Sequence, residues 1–193
     1  MNIPARLIII TCWIIFLGFW LVTAGATKDL AVRESAGTRL GYTLPMMAGA
    51  VLLFRGFGAR DYPWGAGRHV WPALTALAWT GAALTILGVT LAIWARVTLG
   101  RNWSAAVVVR KDHELVMRGP YGLSRHPIYT AILTMFIGTV LAVGTIEGLA
   151  GFLLVAGGLC FKLRREEQLM MRQFPDEYPA YRRRVKRLIP YIW

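Results

Sequence analysis

Charge is scarce in this chain. Of its 193 residues only 17% are Asp, Glu, Lys or Arg, and 56% are hydrophobic. Soluble domains carry about 25% charged residues. An ordinary water-soluble globule is excluded by that balance, and so is disorder, which needs the opposite one. Acidic residues are scarcer still: 10 Asp plus Glu face 22 Lys plus Arg, a formal net charge of +12. There are two cysteines, Cys12 and Cys160, both inside apolar runs. They read as small hydrophobes, because a disulfide framework or a zinc site draws on more ligands. No G-x-G-x-x-G opens a strand–helix unit, and no P-loop, H-E-x-x-H or G-x-S-x-G occurs. The common soluble nucleotide, zinc-protease and serine-hydrolase sites are therefore not expected. The histidines, His69, His113 and His126, match no standard metal spacing, so no metal is expected. No repeat or long linker divides the chain.

What the chain has instead is long uncharged runs, with a mean hydropathy of +0.48. About 20 mostly apolar residues cross a bilayer as a helix. Leu7 to Ala26 carries no charge and outruns the roughly 7–15-residue core of a cleaved signal, so it reads as a retained span. Leu40 to Phe54, closed by Arg55, is a second, and Val70 to Trp94 a third. From Pro127 to Phe161 the only charge is Glu147, within Gly144-Thr145-Ile146-Glu147-Gly148. That stretch is too long for one span and fits two helices of about 17 residues joined by a tight turn. The runs are continuous rather than alternating, which excludes a lipid-facing barrel. The expected fold is all-α: a polytopic membrane protein of about five transmembrane helices, the last two forming a helical hairpin. Gly81, Gly88, Gly138, Gly157 and Gly158 are small residues of the kind that let membrane helices approach closely.

Basic residues set the orientation. Arg96, Arg101, Arg110, Lys111, Arg118 and Arg125 lie between spans three and four. Nine more lie from Lys162 onward, so these two segments hold 15 of the 22. Both fall on one side of the hairpin, which should be cytoplasmic with the C-terminus; five spans then put the N-terminus outside. The loop 27–39 would be inside; 59–69 and the turn at Glu147 would be outside. Basic residues bordering apolar runs suit anionic lipid headgroups better than nucleic acid.

The polar residues concentrate where those two segments meet. Leu99 to Tyr129 holds Asn102, Trp103, an extended Val107-Val108-Val109, His113, Tyr121, Arg125, His126 and Tyr129. Aromatic anchoring at headgroup level accounts for Trp103 but poorly for two histidines and two tyrosines beside a helix start. Pro127 suits the first turn of span four, which sets Arg125 and His126 at a helix N-terminus, where backbone N–H groups favour an anion. At the end of span five, Lys162 and Glu166 are i, i+4 neighbours, as are Arg164 and Gln168. Such a cluster is a salt-bridged helix end or a carboxylate for the positive end of a ligand. Farther on, Asp176 can cap a short interfacial helix whose Tyr178, Tyr181 and Val185 share one face.

The ordered set His113-Glu114-Leu115-Val116, Gly119-Pro120-Tyr121, Arg125-His126-Pro127-Ile128-Tyr129, Glu166-Glu167 and Phe174-x-x-Glu177-Tyr178-x-x-Tyr181 resembles the isoprenylcysteine carboxyl methyltransferase family. The wider group includes phospholipid methyltransferases. Leu99-Gly100-x-Asn102-Trp103-Ser104 is similar to the segment preceding the cofactor site in small prokaryotic members. The match runs from about Leu99 to Pro190. It implies two parts: 1–98 with three spans, and 99–193 as a methyltransferase core with a cytoplasmic cofactor pocket. It implies S-adenosylmethionine as methyl donor, contacted by His113, Glu114, Leu115, Val116, Tyr121, His126, Pro127, Ile128, Tyr129 and Glu166, with Glu167 the neighbouring candidate. It implies His126 and Asn102 as candidate catalytic residues. Lys162 stands where the family's substrate-contacting basic residue lies, and Arg164 is the alternative. The activity implied is methyl transfer to a lipidic or membrane-embedded acceptor, with a carboxylate as in isoprenylcysteine O-methylation. Phospholipid or lipid-amine N-methylation is the alternative, and a lipid-binding scaffold without catalysis is a third reading. An ionised carboxylate needs no general base; an amine or phenol would, and His113 or His126 would be the base candidates. Oligomeric state stays open.

Overall fold

The computed structural model describes residues 2–25, 30–33, 35–58, 69–72, 74–103, 108–110 and 115–192. Five long helices stand on the five apolar runs: α1 (Ile3–Thr23), α2 (Ala36–Gly58), α3 (Thr75–Leu99), α4 (Pro127–Val143) and α5 (Ile146–Gln173). A short helix, α6 (Glu177–Arg184), follows. α1, α3 and α5 are long and apolar enough to cross a membrane, and α4 is a shorter apolar helix. The second run, expected over Leu40 to Phe54, is longer at both ends: α2 begins at Ala36 and passes through Pro45 to Gly58. Among the described residues one pair of strands joins the helices. Leu30–Arg33 (β1) pairs antiparallel with Val108–Arg110 (β2), with an irregularity between Leu30 and Val32. The extended reading of 107–109 thus meets a partner in the 27–39 loop, which the apolar pattern does not reveal. Most of the expected outer loop, 59–68, lies outside the described residues.

The hairpin turn follows the local chemistry of its residues. Gly144 closes α4 in the left-handed conformation (φ 67°), and Thr145 caps α5 by accepting from Gly148 N at 3.2 Å. Glycine meets no steric penalty there. Val70 N donates to Gly144 O at 2.7 Å, and Trp71 Nε1 donates to Leu141 O at 3.1 Å. His69 is held at this end, opposite Thr145, with the whole length of α4 separating it from His126.

Within the bundle, α4 packs chiefly on α3 and α5 chiefly on α2. Glycine pairs set both contacts. A Cβ on Gly81 would strike Gly138 O, and a Cβ on Gly138 would strike Gly81 O. Gly49 and Gly151 stand in the same reciprocal relation between α2 and α5, and Gly158 lies against Met46 and the Tyr42 carbonyl. Gly157 faces open space. Gly81, Gly88, Gly138 and Gly158 are therefore contact positions as expected, Gly157 is not, and Gly49 and Gly151 are added. Trp13 Nε1 reaches across from α1 to Thr139 Oγ1 on α4 at 3.0 Å, satisfying two buried polar groups at once. Its ring packs edge-on against Phe16, Phe54 and Phe136. Apolar side chains such as Leu21 and Val22 face outward, 78% and 85% exposed.

Gly138→Val should separate α3 from α4 and destabilise the bundle by about 1–3 kcal/mol, the usual cost of overpacking. Gly157→Ala, which meets open space, should not destabilise it. Thermal unfolding of the two variants in detergent checks this; equal melting temperatures would refute the assignment of Gly138 as a helix contact.

Candidate functional site

α5 has 28 residues and α4 has 17. At 1.5 Å per residue the last turns of α5 stand beyond the first residue of α4. Glu166 and Glu167 sit on that projecting part, facing the chain that leads into α4. A short 3-10 turn, Gly119–Gly122, precedes it. Pro127 opens α4 as expected, with His126 at the N-cap.

Glu167 is the structural anchor. Its Oε1 accepts from Arg125 Nε at 2.8 Å and Nη2 at 2.6 Å, and its Oε2 accepts from Arg187 Nε at 2.9 Å. Glu167 and Arg125 are 4% and 8% exposed. Arg125 Nη1 also donates to the carbonyls of Arg182 and Val185. The tail is then laid along the α4 entry. Arg125 N donates to Lys186 O, His126 N to Arg187 O, Ser124 Oγ to Arg187 O and Thr130 Oγ1 to Leu188 O, at 2.7–3.0 Å. Tyr181 Oη donates to Tyr121 O at 2.6 Å. The buried face of α6, Tyr178 and Tyr181, is turned onto the protein, and Arg182, Arg183 and Arg184 are exposed. Asp176 occupies the N-cap position but its side chain makes no capping bond, so α6 owes its place to tyrosine packing rather than to the expected cap.

Glu166 is held differently. Tyr129 Oη donates to its Oε1 at 2.5 Å, Lys162 Nζ lies 3.8 Å away and His126 Nδ1 lies 3.6 Å from Oε2. The His126 and Tyr129 rings stack with centroids 5.4 Å apart. Lys162 Nζ lies 5.5 Å from the centroids of both Tyr42 and Tyr129, within cation–π range. The structure thus brings Tyr129, His126, Lys162 and Glu166 together, with Tyr121, Ile128 and Pro127 buried beside them. Arg164 is exposed on another face of α5. Leu115 and Val116 are half-buried; His113 and Glu114 lie outside the described residues, as do 104–107. Asn102 is half-buried in a 3-10 turn after α3, and its Oδ1 is buried without a hydrogen-bond partner among the described residues. Sequence reasoning passed over Tyr42 and Arg96. Arg96 is 3% exposed. It donates to Gly100 O and Thr23 O, both at 2.8 Å, and lies 4.4 Å from the Trp103 ring. A lone arginine directly after an apolar run was its only signal.

The His126 imidazole feels two opposed effects. Burial pushes its pKa down, but the nearby carboxylates of Glu166 and Glu167 outweigh burial and hold it above the ordinary value. Its Nε2 is buried with no hydrogen-bond partner among the described residues; Glu167 Oε1 is 3.6 Å away. Burial, followed by the Glu166 charge, raises the Tyr121 hydroxyl, and burial raises that of Tyr181. Both stay protonated donors at ordinary pH.

The helical bundle is similar to that of a solved intramembrane methyltransferase. The chain matches the structure of the eukaryotic intramembrane Ras methyltransferase ICMT with a TM-score of 0.54 and 26% identity. The match covers 83% of this chain and 55% of that one. With its apolar helices, this makes the chain a multi-pass membrane protein. Residues 81–172 match the model of the isoprenylcysteine carboxyl methyltransferase (ICMT) family. Among relatives, a nickel-cobalt-cadmium resistance protein of Alcaligenes xylosoxydans xylosoxydans is 37% identical over 118 residues, 58% of this chain and 52% of that protein. Protein-S-isoprenylcysteine O-methyltransferase B of Arabidopsis thaliana is 30% identical over 115 residues, 58% of each chain. The Homo sapiens protein-S-isoprenylcysteine O-methyltransferase is 32% identical over 128 residues, 63% of this chain and 45% of that one. The chain spans about half the length of the relatives it matches.

Glu167→Gln should leave Arg125 and Arg187 without their shared counter-charge. Breaking a buried pair this way costs about 3–5 kcal/mol, and a much lowered melting temperature with a proteolysed tail should report it. The pH dependence has a definite sign. A group whose folded pKa is raised contributes stability that is complete below its unfolded pKa, about 6.5 for histidine, and lost as pH rises through the folded value. Melting temperature should therefore fall on alkaline titration from about pH 6.5, and His126→Gln should flatten that slope. An unchanged slope would refute the charged imidazole.

Proposed function

We propose that the chain is an integral-membrane methyltransferase that moves a methyl group from S-adenosylmethionine to a lipidic or membrane-embedded acceptor, most simply a carboxylate. The observation that carries this is the Glu166 cluster, placed at the end of the α4–α5 hairpin and inside the segment that matches the family. The relatives named as O-methylating isoprenylcysteine supply the acceptor class. S-Adenosylmethionine supplies an electrophilic methyl on a cationic sulfur. The residues present fit such a donor: Glu166 offers a carboxylate for its ammonium, and its present partners sit at 3.6 and 3.8 Å apart from the tyrosine. Tyr121 and Tyr129 offer aromatic faces for cationic or adenine groups. Pro127, Ile128, Leu115 and Val116 would line the pocket, His113 and Glu114 would complete it, and Glu167 would fix its geometry by holding Arg125 and Arg187.

Within this reading Lys162 is the acceptor contact. It is buried beside Glu166 at the boundary of the apolar part of α5, whereas Arg164 is exposed on another face. A cation there favours the ionised carboxylate that attacks the methyl carbon, and holding nucleophile and methyl in line supplies most of the rate. His126, whose protonated form the two carboxylates favour, serves as an electrostatic and orienting group. Asn102, whose buried oxygen has no hydrogen-bond partner among the described residues, is the second polar candidate. In this reading 1–98 supplies three spans and 99–193 is the methyltransferase core. Five spans, a cytoplasmic site and C-terminus and an external N-terminus accord with the placement of basic residues. Anionic lipid is the partner this charge suits.

Calorimetric titration of the detergent-purified protein with S-adenosylhomocysteine should show one saturable site. Glu166→Ala should weaken it roughly tenfold or more, since a charge-assisted hydrogen bond contributes about 1.5–3 kcal/mol. Equal binding by a folded Glu166→Ala variant would overturn the assignment of Glu166. Base-labile methyl label in the product would identify a carboxylate acceptor, and base-stable label an amine.

A further inference from the structure

Behind the Glu166 cluster, on the other flank of Glu167, lies an open cleft of about 290 Å³ between α5 and the segment that runs from α6 into the tail. Arg164, Gln168 and Met171 line one wall at i, i+4, i+7 spacing, and Arg182 and Arg187 line the other. Arg164 and Arg182 are exposed, and neither pairs with a carboxylate among the described residues. The carboxylate in the cleft, Glu167, is already shared by Arg125 and Arg187, so it does not neutralise them. Three guanidinium groups and one carboxamide therefore converge on one small volume with excess positive charge. Guanidinium forks suit the tetrahedral oxygens of a phosphate, which they bind with two parallel hydrogen bonds. Arg164 sits three residues past Phe161, the last residue of the apolar run. That is about 4.5 Å along a helix and within the headgroup layer flanking a bilayer core.

We propose that this cleft is a binding site for the phosphate of an anionic phospholipid headgroup, held by Arg164, Arg182 and Arg187. The inference rests on the membrane placement given above, which sets this end of α5 at headgroup level. It adds a defined ligand site to a general basic surface. A lipid phosphate seated there would bridge α5 to the tail, the two segments that Glu167 joins from within.

The full chain is purified and placed in phosphatidylcholine nanodiscs with and without phosphatidylglycerol, and retained lipid is counted by native mass spectrometry. Wild type should retain phosphatidylglycerol. Arg164→Gln and Arg182→Gln should each weaken retention about fivefold, the effect of one basic residue near an anionic surface. Arg101→Gln, an exposed arginine elsewhere, should leave it unchanged. Equal losses in all three variants would reduce the effect to bulk surface charge and overturn the site. Inorganic phosphate competing as well as the lipid in the same titration would overturn the lipid as occupant. Binding of S-adenosylhomocysteine by Arg182→Gln keeps this separate from the donor reading: equal affinity to wild type is expected, and a loss would make the cleft part of the donor pocket and refute the proposal. Retained phosphatidylglycerol together with absent donor binding in wild type would leave the lipid site standing and remove the methyltransferase reading.

Discussion

A carboxylate buried at the end of a membrane helix must be neutralised where it stands, and Glu167 brings three separate segments together to do so. Its two oxygens take Arg125 from the entry to α4 and Arg187 from the tail. Arg125 in turn ties down the carbonyls of Arg182 and Val185. Remove this one charge and two buried or half-buried guanidinium groups are left uncompensated. Desolvation of an unpaired ion outweighs most single packing contacts, so the geometry around His126 and Glu166 is secured by a residue that itself has no oxygen to spare.

That arrangement depends on a mismatch of helix lengths. Were α5 as short as α4, Glu166 and Glu167 would fall outside it. Because α5 runs 28 residues, the hairpin carries two adjacent carboxylates past the apolar layer to meet the N-cap of α4. The register holds because Gly81 against Gly138, and Gly49 against Gly151, let the backbones touch. In lipid, where apolar side chains gain little by leaving the solvent for one another, such close packing is a principal source of helix association. A methyl group at one of these positions would be felt some turns away as a displaced carboxylate.

The apolar runs were legible because the bilayer imposes a one-dimensional rule on composition. The five long helices, the Gly144–Thr145 turn and the Lys162–Glu166 pair follow from counting along the chain. The triad around Glu167 was not legible in that way. Arg187 reads as one of nine basic residues from Lys162 onward, and nothing in its neighbours marks it as the partner of a carboxylate 20 positions earlier. Tyr42 lies on α2, ahead of the matched segment, and approaches Lys162 only because Gly158 admits the α2 backbone to α5. The pairing of Leu30–Arg33 with Val108–Arg110 is hidden for the same reason: long-range pairing leaves little trace in either strand alone. The ordered motifs located the site; the side chains that shape it come from segments whose local pattern is unremarkable.

Two neighbouring glutamates on one helix would ordinarily repel, and here they are separated by their partners as well as by angle. Successive residues turn about 100° around a helix, so Glu166 and Glu167 face different surroundings. Glu167 meets guanidinium forks at 2.6–2.9 Å and is fully committed. Glu166 meets a neutral phenol, an imidazole at 3.6 Å and an ammonium at 3.8 Å. The longer contacts are those a ligand cation could replace at little cost, because each is already weaker than a direct charge-assisted bond. Lys162, released from Glu166, would remain between Tyr42 and Tyr129, which hold a cation without consuming its charge. It would then be free to face an anionic acceptor arriving from the apolar side. On the proposed reading one carboxylate fixes the frame and the other would exchange partners, which would leave a positive charge where a carboxylate nucleophile needs one.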